Sequence, residues 1–190
     1  MILASGSPQR RAILEQLGVA FTVVVPEVEE LAAGPPEEVA LENAYRKAMA
    51  VASGQLATGD AEALTLGVDT LVAVGAEIYG KPADREQAAA TLTALGGRSH
   101  RVVSGVCVVR EGRARTAAAV TTVSFRPLAE SAIDWYLDTG EWRGRAGGYA
   151  IQGKGAALVA AIDGDYLNVV GLPVATLLDI LPSLVFPAIS

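Results

Sequence analysis

Asp69 is a carboxylate in a stretch of sequence that is otherwise apolar. It is the only charged residue between Ala63 and Ala76, in a run whose apolar and β-branched residues predict a β-strand. A carboxylate in the middle of such a strand is unfavourable unless a cation or hydrogen-bond donors meet it. Asp69 is therefore either half of a structural ion pair or a functional group, such as a metal ligand or a general base.

Lys47 lies on the apolar face of a predicted helix. At helical periodicity it shares that face with Ala40, Ala44 and Ala48, so its stem faces the core or a cleft. One interpretation is a snorkelling lysine, whose stem packs while its amine reaches water. The other is a functional ammonium group, which is favoured because the chain has only three lysines against twelve arginines.

The N-terminal segment combines small side chains with two arginines at the start of a predicted helix. Ser7 caps that helix and Pro8 occupies its first position. Small residues leave backbone N–H groups free at the helix N-terminus, where the helix dipole favours anions, and Arg10 and Arg11 add guanidinium donors. This pattern favours a phosphate site, although no Walker motif is present. The alternative is a capped surface helix with basic residues in its first turn.

Two glycine-containing segments carry further polar candidates. Lys81 lies between Gly80 and Pro82, where the common interpretation is a turn with a solvated lysine and the functional one is a close approach to an anion. The segment 146–155 contains four glycines and Gln152, whose amide offers a donor and an acceptor to the edge of a nucleobase. A mobile glycine-rich loop is the alternative for that segment.

Composition limits the functions that these residues can serve. The chain has 190 residues, of which 51% are hydrophobic, and this suits one domain spanning 1–190. Its net charge of −6 disfavours contact with a nucleic-acid backbone or an anionic membrane. One cysteine and one histidine exclude a disulfide within the chain and a Cys- or His-rich metal cluster. The chain shows no targeting pattern and no apolar run of about 18 residues, so we expect a cytoplasmic protein.

Helices and strands are mixed along the chain with at least one hairpin, so a mixed sheet with flanking helices must position these residues. The pattern predicts strands at 1–4, 21–25, 64–74, near 78, 101–109, 114–125, 156–162 and 166–170. It predicts helices at 8–17, 37–52, 85–95, 130–138 and from 173, with loops at 27–36 and 54–60.

Several ordered segments of the chain resemble motifs of the Maf family of nucleoside triphosphate pyrophosphatases. They lie at 3–11, 29–30, 47–48, 68–70, 80–82, 97–102, 140–141, 146–153 and 168–173. Because they follow one another over essentially the whole chain, chance does not explain the resemblance. It implies an α/β fold, with a mixed twisted β-sheet, flanking helices and two lobes around a central cleft, similar to inosine triphosphate pyrophosphatases.

The resemblance also implies an activity. Members of the family hydrolyse a nucleoside triphosphate to the monophosphate and pyrophosphate with a divalent cation, Mg²⁺ or Mn²⁺, and are often homodimers. In the family pattern Asp69 falls on the proton acceptor, and with Glu30 it would hold the metal. The residues that fall on substrate-binding positions are Ser7, Arg10, Arg11, Lys47 and Lys81.

The family divides by substrate at three positions, which are Gln9, Thr70 and Gln152 in this chain. The type that acts on dTTP and UTP typically has Arg, Thr and Gln there, and the type that acts on 7-methyl-GTP has Trp, Gln and Glu. Two of the three residues match the first type, so we expect dTTP and UTP as substrates, with weaker discrimination because of Gln9. Strand alternation places Thr70 on the opposite face from Asp69. The alternative function is a nucleotide-binding regulator of septation without turnover.

Overall fold

The structure of the protein is a computed structural model that describes residues 1–57 and 63–186. Its strands are β1 (Ile2–Ala4), β2 (Thr22–Val23), β3 (Thr65–Val74), β4 (Glu77–Tyr79), β5 (Ser99–Arg110), β6 (Arg113–Phe125) and β7 (Val159–Asp163). Its α-helices are α1 (Pro8–Gln16), α2 (Pro36–Ala57), α3 (Arg85–Leu95), α4 (Glu130–Asp138), α5 (Tyr166–Val170) and α6 (Val174–Ile180). Short 3₁₀ helices span Ala146–Gly148, Gly153–Leu158 and Pro182–Leu184. Within the described ranges, no helix is both long and apolar enough to cross a membrane.

The seven strands join one sheet in the order β2-β1-β3-β5-β6-β7, with β4 paired to β3. β1 runs parallel to β2 and β3, whereas the pairs β3–β4, β3–β5, β5–β6 and β6–β7 are antiparallel. The long β5–β6 hairpin turns at Glu111 and Gly112, whose φ values of 52° and 72° are those of a two-residue hairpin turn. The predicted mixed sheet with flanking helices is confirmed.

One edge of β3 is only partly covered by neighbouring strands. On that edge β1 pairs with Thr65–Gly67 and β4 pairs with Val72–Val74, while β5 pairs along the other edge. Of the strands in the described ranges, none pairs with 68–71 on the first edge, because β1 ends at Ala4. The sheet is therefore interrupted beside Asp69, one of the candidate residues.

Helix α2 covers one face of the sheet at very close range. Gly67 and Gly105 make this possible, because a Cβ atom at either position would clash with a backbone carbonyl of α2, that of Ala44 or Ala40 respectively. Side chains alternate along β3, so Asp69 faces the same helix as Gly67. The glycines thus fix the distance between α2 and the strand that carries Asp69.

The opposite face of the sheet carries two apolar cores, one in each lobe. The first lobe packs α1 and α6 on the sheet through residues such as Leu14, Leu66 and Leu177. The second lobe packs α3 and α4 on the sheet through residues such as Leu92 and Tyr136. A cleft remains between the two cores, so the predicted two-lobed arrangement is confirmed.

Residues 166–170 form helix α5, so the strand predicted there is wrong. The Asp165 side chain accepts a hydrogen bond from the Leu167 N–H (2.7 Å) and caps the helix, and Gly171 ends it with a φ of 128°. The buried Asn168 then donates two hydrogen bonds of 3.0 Å to the sheet. Capping and this tertiary contact outweigh the β-branched residues that favoured a strand.

Three other boundaries differ from the sequence prediction. A 3₁₀ helix precedes β7, so the strand predicted at 156–162 begins only at Val159. The strand predicted at 21–25 is limited to Thr22–Val23. Helix α2 continues through Gly54 to Ala57, which is part of the loop predicted at 54–60, and residues 58–60 of that loop lie outside the described residues.

Candidate active site

A cavity of about 410 Å³ lies in the cleft between the two lobes. It opens where the edge of β3 is interrupted, and Thr70 and Val72 of that strand line it. Eight of the ten residues predicted for the site line this cavity, namely Ser7, Gln9, Arg10, Glu30, Lys47, Thr70, Lys81 and Gln152. The fold therefore brings together side chains that lie far apart in the sequence.

Lys47 forms two ion pairs at the wall of the cavity. Its Nζ lies 2.6 Å from Asp69 Oδ1 and 2.7 Å from Glu30 Oε1. Lys47 and Asp69 are both buried, so the amine meets carboxylates rather than water, which contradicts the snorkelling interpretation. Asp69 is thus half of a buried ion pair, as one of the two interpretations predicted. Its partner Lys47 and the neighbouring Glu30 line the cavity, so a functional role for Asp69 is also compatible with the structure.

A buried amide, Asn43, holds Asp69 by its other oxygen. Asn43 Nδ2 donates to Asp69 Oδ2 (3.1 Å) and to the Leu31 carbonyl (3.0 Å), and its Oδ1 accepts from the Leu31 N–H (2.7 Å). Asn43, on α2, therefore connects β3 with the acidic loop that contains Glu30. The sequence prediction missed Asn43, although its spacing of four residues from Lys47 places the two on one helix face.

Arg10 is buried and makes hydrogen bonds within the protein. Its Nε donates to the Gly171 carbonyl (2.9 Å), its Nη1 to the Ser5 hydroxyl (2.8 Å) and its Nη2 to the Thr70 hydroxyl (3.2 Å). Burial lowers the pKa of Arg10 from its ordinary value, and nearby carboxylates act in the opposite direction. One guanidinium thus connects α1, the end of β1, β3 and the end of α5 at the cavity wall.

Thr70 lies on the cavity face of β3, while the side chain of Asp69 meets α2. This is the alternation that the strand predicted. The Thr70 hydroxyl lies 2.8 Å from Ser104 Oγ of β5 and accepts from Arg10. Thr70 therefore lines the cavity and also helps to orient the Arg10 guanidinium through this hydrogen bond.

The start of α1 presents Ser7 and Gln9 to the cavity, but not Arg11. Ser7 accepts a long hydrogen bond from the Arg10 N–H (3.5 Å), and its hydroxyl donates to Gln9 Oε1 (3.3 Å). Arg11 is exposed and does not line the cavity. The structure therefore does not bring Arg11 to the site, and its contact with a triphosphate stays a prediction.

Hydrogen bonds from the second lobe hold the glycine-rich loop in place. Glu141 accepts from the backbone N–H groups of Lys154 (3.1 Å) and Gly155 (3.2 Å). The Tyr136 hydroxyl accepts from the Ala150 N–H (2.9 Å). Gln152 lies between these anchors, is exposed and lines the cavity, so its amide is available to a ligand.

A buried aromatic cluster supports this loop. Tyr149 lines the cavity, and its hydroxyl lies 2.9 Å from His100 Nε2. The His100 ring makes edge-on contacts with Phe125 (4.9 Å between ring centroids) and Tyr149 (5.4 Å). Burial lowers the pKa of His100 to about 4, so the imidazole is neutral at neutral pH. The single histidine of the chain is thus an uncharged part of the second lobe.

Glu30 and Asp69 are the carboxylates predicted to hold a divalent cation, and of the two Glu30 lines the cavity whereas Asp69 is buried beside Lys47 and does not. Both contact Lys47 Nζ, so their oxygens lie close to one point, and carboxylate oxygens are preferred ligands of Mg²⁺ and Mn²⁺. The described part of the chain holds no group of three His, Cys, Asp or Glu residues suited to a metal. Glu30 Oε1 and Asp69 Oδ1 are both paired with Lys47 Nζ, so the predicted cation would use their other oxygens or displace the ammonium, and its binding stays a prediction.

Comparison with known proteins identifies the family. The Maf-like protein family matches residues 1–184, which include every helix, strand and cavity residue described above. A dTTP/UTP pyrophosphatase of Symbiobacterium thermophilum is 46% identical over 189 residues, which cover 98% of this chain and 95% of that protein. A dTTP/UTP pyrophosphatase of Alcanivorax borkumensis is 43% identical over 182 residues, which cover 95% and 93%. The chain belongs to the Maf-like family, and the resemblance seen in its sequence is confirmed.

One solved structure shows a looser likeness. The structure of the Staphylococcus aureus Ham1 protein superposes with a TM-score of 0.46 at 14% identity, covering 65% of this chain and 70% of that one. A likeness of this size indicates no function. The two-lobed mixed sheet is established by the strand order and the two apolar cores.

Proposed function

We propose that this protein hydrolyses dTTP and UTP to the nucleoside monophosphate and pyrophosphate. The observation that carries the proposal is the buried Lys47–Asp69 ion pair, joined by Glu30, at the wall of a cleft lined by cationic and glycine-rich segments. The two Maf-like relatives at 46% and 43% identity are both named dTTP/UTP pyrophosphatases. A cavity of about 410 Å³ also falls in the usual size range of small-molecule sites.

In this reaction Asp69 accepts the proton of the water molecule that attacks the α-phosphorus. Lys47 holds its Oδ1 and Asn43 holds its Oδ2, and each oxygen retains a lone pair for a further hydrogen bond. A carboxylate held on both sides keeps one orientation, as a general base must in order to reach its water. The bond between the α-phosphorus and the α,β-bridging oxygen then breaks, and that oxygen leaves on pyrophosphate.

Glu30 and Asp69 would together hold the divalent cation, Mg²⁺ or Mn²⁺. When bound, this cation would neutralise phosphate charge and stabilise the pyrophosphate leaving group. The Glu30 side chain is 46% exposed against 11% for Asp69, so Glu30 presents the more accessible oxygens to the cavity.

The triphosphate binds between the start of α1 and the cationic wall of the cavity. The N-terminus of α1, capped by Ser7, offers backbone N–H groups and the positive end of the helix dipole. Lys81 is exposed at the cavity and contacts phosphate oxygens directly. Lys47 and Arg10 stabilise negative charge from buried positions.

Gln152 reads the nucleobase. The pyrimidines of dTTP and UTP present a carbonyl and a ring N–H, which one carboxamide meets with its donor and its acceptor. Gln152 is exposed on a loop that hydrogen bonds fix in place, and it lines the cavity. Thr70 and Gln9 line other parts of the wall and complete the specificity set.

The proposal also includes the setting of the enzyme, a cytoplasmic homodimer whose partner is a nucleotide rather than a nucleic acid or a membrane. The net charge of −6 supports the exclusion of anionic polymers and surfaces. The family resemblance is the support for the homodimer, and the sequence pattern is the support for the cytoplasmic location.

The test is a panel of nucleoside triphosphates incubated with the purified protein and Mg²⁺ or Mn²⁺. We expect pyrophosphate and the monophosphate in equal amounts from dTTP and UTP, with slower release from CTP, the purine triphosphates and 7-methyl-GTP. Release of orthophosphate, or a preference for 7-methyl-GTP, would contradict the proposal. Tight binding of every nucleotide without any product would favour the regulator of septation instead.

A further inference from the structure

The cationic residues that line the cavity fall into two groups. Arg10 and Lys47 already have protein partners, since Arg10 donates to three acceptors and Lys47 pairs with two carboxylates. Lys81 and Arg145, on the side of the second lobe, form no salt bridge with any residue in the described ranges. The positive charge that remains available to a ligand therefore lies on the side of the second lobe.

Arg145 also carries a buried donor that lacks an acceptor. Its Nε is shielded from solvent and has no hydrogen-bond partner among the residues that the structure describes. A buried guanidinium N–H in this state is unfavourable, and most such groups in native proteins are satisfied by protein, water or ligand. Arg145 itself lines the cavity, so an anionic ligand bound there would lie beside a guanidinium whose hydrogen bonds within the protein are incomplete.

The backbone brings the Lys81 and Arg145 loops together. The Gly80 carbonyl accepts a hydrogen bond from the Gly147 N–H (3.0 Å), next to Lys81 and two residues after Arg145. The turn that follows Arg145 is packed closely on β3, since a Cβ atom on Gly147 would lie 2.7 Å from Val72 Cγ2. Two cationic residues thus belong to one fixed part of the cavity wall.

Arg145 also lies near the loop that carries Gln152. Arg145 lines the same cavity as Ala150 and Gln152 of that loop. The Tyr136 hydroxyl accepts a hydrogen bond from the Ala150 N–H. Ala150 lines the cavity and lies two residues before Gln152. Arg145 therefore lies near both the Lys81 loop and the loop that is proposed to read the base.

We propose that Arg145 is a substrate-binding residue that contacts the polyphosphate chain of the nucleotide together with Lys81, and that it holds pyrophosphate after cleavage. A planar guanidinium presents parallel N–H donors that match phosphate oxygens, whereas the Lys81 ammonium adds a compact charge. This inference rests on the proposed function, because it adds a contact to the same site.

Binding of inorganic tripolyphosphate and of pyrophosphate, measured by calorimetry on the full chain, tests this contact without requiring turnover. Arg145→Gln should weaken both affinities by about 10- to 100-fold, because a charge-assisted contact is lost. Arg145→Lys keeps the charge without the planar fork and should fall between wild type and Arg145→Gln. Arg143→Gln is the matched control, since Arg143 is exposed on the same loop with its guanidinium 4.7 Å from the Trp142 ring centroid, and it should bind as wild type does.

Steady-state kinetics with dTTP separates this inference from the proposed function. Arg145→Gln should raise KM by a factor similar to its loss of affinity, with a smaller effect on kcat. If wild type releases pyrophosphate and Arg145→Gln binds tripolyphosphate as tightly as wild type, the role of Arg145 is overturned and the proposed function stands. If no triphosphate is hydrolysed and Arg145→Gln still loses tripolyphosphate affinity, the proposed function fails and the polyphosphate contact stands.

A structural role for Arg145 gives a different result. In that case Arg145→Lys and Arg145→Gln would lose affinity equally, and both would unfold at an equally lowered temperature. That outcome would overturn the inference, whereas partial rescue by Arg145→Lys at an unchanged melting temperature supports it.

Discussion

The Asp69 carboxylate is held by α2 at both oxygens, by Lys47 at one and by Asn43 at the other. Asp69→Asn keeps this shape but removes the basic oxygen that takes the proton, so kcat for dTTP should fall by about 100-fold or more. Pyrophosphate release at saturating dTTP measures the effect. Thermal unfolding provides the control, and the variant should fold because Glu30 still pairs with Lys47. Near-wild-type turnover in the folded variant would show that another group accepts the proton.

Gln9 lines the cavity at the start of α1 and accepts a hydrogen bond from the Ser7 hydroxyl (3.3 Å). Gln9→Arg places a guanidinium where the dTTP/UTP type of the family typically has one. The ratio of kcat/KM for dTTP to that for CTP should rise roughly five-fold or more, since one added hydrogen-bonding contact has about that effect. Gln16→Arg is the control, because it makes the same substitution at an exposed position of the same helix. An unchanged ratio in Gln9→Arg would remove Gln9 from the specificity set.

Candidate site residues could be predicted from the sequence where a charged side chain interrupts an apolar strand or helix face. They could not be predicted where a polar side chain is ordinary for its position. Asp69 and Lys47 are charges on apolar elements, and the structure brings them together. Asn43 and Arg145 occupy positions where an amide or an arginine is ordinary, so only tertiary contacts reveal them. Arg11 belongs to the N-terminal phosphate pattern, yet it is exposed, since successive side chains on a helix point about 100° apart.

At the scale of elements, the contact between α2 and β3 sets the distance between Lys47 and Asp69. A Cβ atom at Gly67 would lie 2.7 Å from Ala48 N and 2.8 Å from Ala48 Cβ. Gly67→Ala should therefore lower the free energy of unfolding by about 1–3 kcal/mol, the usual cost of overpacking. It should also lower kcat for dTTP, because α2 carries Lys47 away from Asp69. Urea unfolding and pyrophosphate release measure the two effects.

Gly54→Ala is the matched control on the same helix. Gly54 is exposed and nothing lies within 4 Å of its Cβ position, so alanine should stabilise the protein by roughly 0.5–1 kcal/mol. The two glycine variants should thus shift the free energy of unfolding in opposite directions. A Gly67→Ala protein as stable and as active as wild type would mean that α2 does not need this close approach.

Periodicity and turn residues predicted most elements, and tertiary contacts decided the exceptions. The residues of α5 resemble a strand, but the cap from Asp165 and the hydrogen bonds of Asn168 to the sheet stabilise a helix. The sequence also predicted β3 as one long apolar strand. It could not predict that β1 and β4 leave the edge at 68–71 open, because strand pairing depends on distant parts of the chain.

At the scale of the whole molecule, the cavity lies between the two apolar cores, and residues from different parts of the fold line it. Arg10 belongs to α1 of the first lobe, Lys47 and Asp69 meet on the α2 side of the sheet, and Gln152 belongs to the loop that the second lobe holds in place. The proposed site therefore draws residues from both lobes and from α2, so no one of these parts completes it alone. Composition predicted a core, but its division into two parts follows only from the packing of helices on one face of the sheet.

The buried His100 should make the free energy of unfolding depend on pH. Its imidazole is buried against Phe125 and Tyr149, and burial lowers its pKa from the ordinary 6.5 to about 4. Between these values the unfolded chain binds a proton that the folded protein does not bind. The free energy of unfolding should therefore fall as the pH decreases through this window, by about 3 kcal/mol in all. Above the unfolded pKa neither state is protonated at His100, so this contribution is fully retained there.

Urea unfolding between neutral pH and about pH 4 measures this effect. His100→Gln removes the titrating group and leaves every other ionisable residue in place, so its free energy of unfolding should depend less on pH than that of wild type. The difference between the two proteins isolates the imidazole, because His100 is the single histidine of the chain. Tyr149 connects His100 to the cavity, so the affinity for dTTP should fall with stability in wild type. Parallel pH dependences in the two proteins would mean that the folded protein protonates His100 as readily as the unfolded chain does.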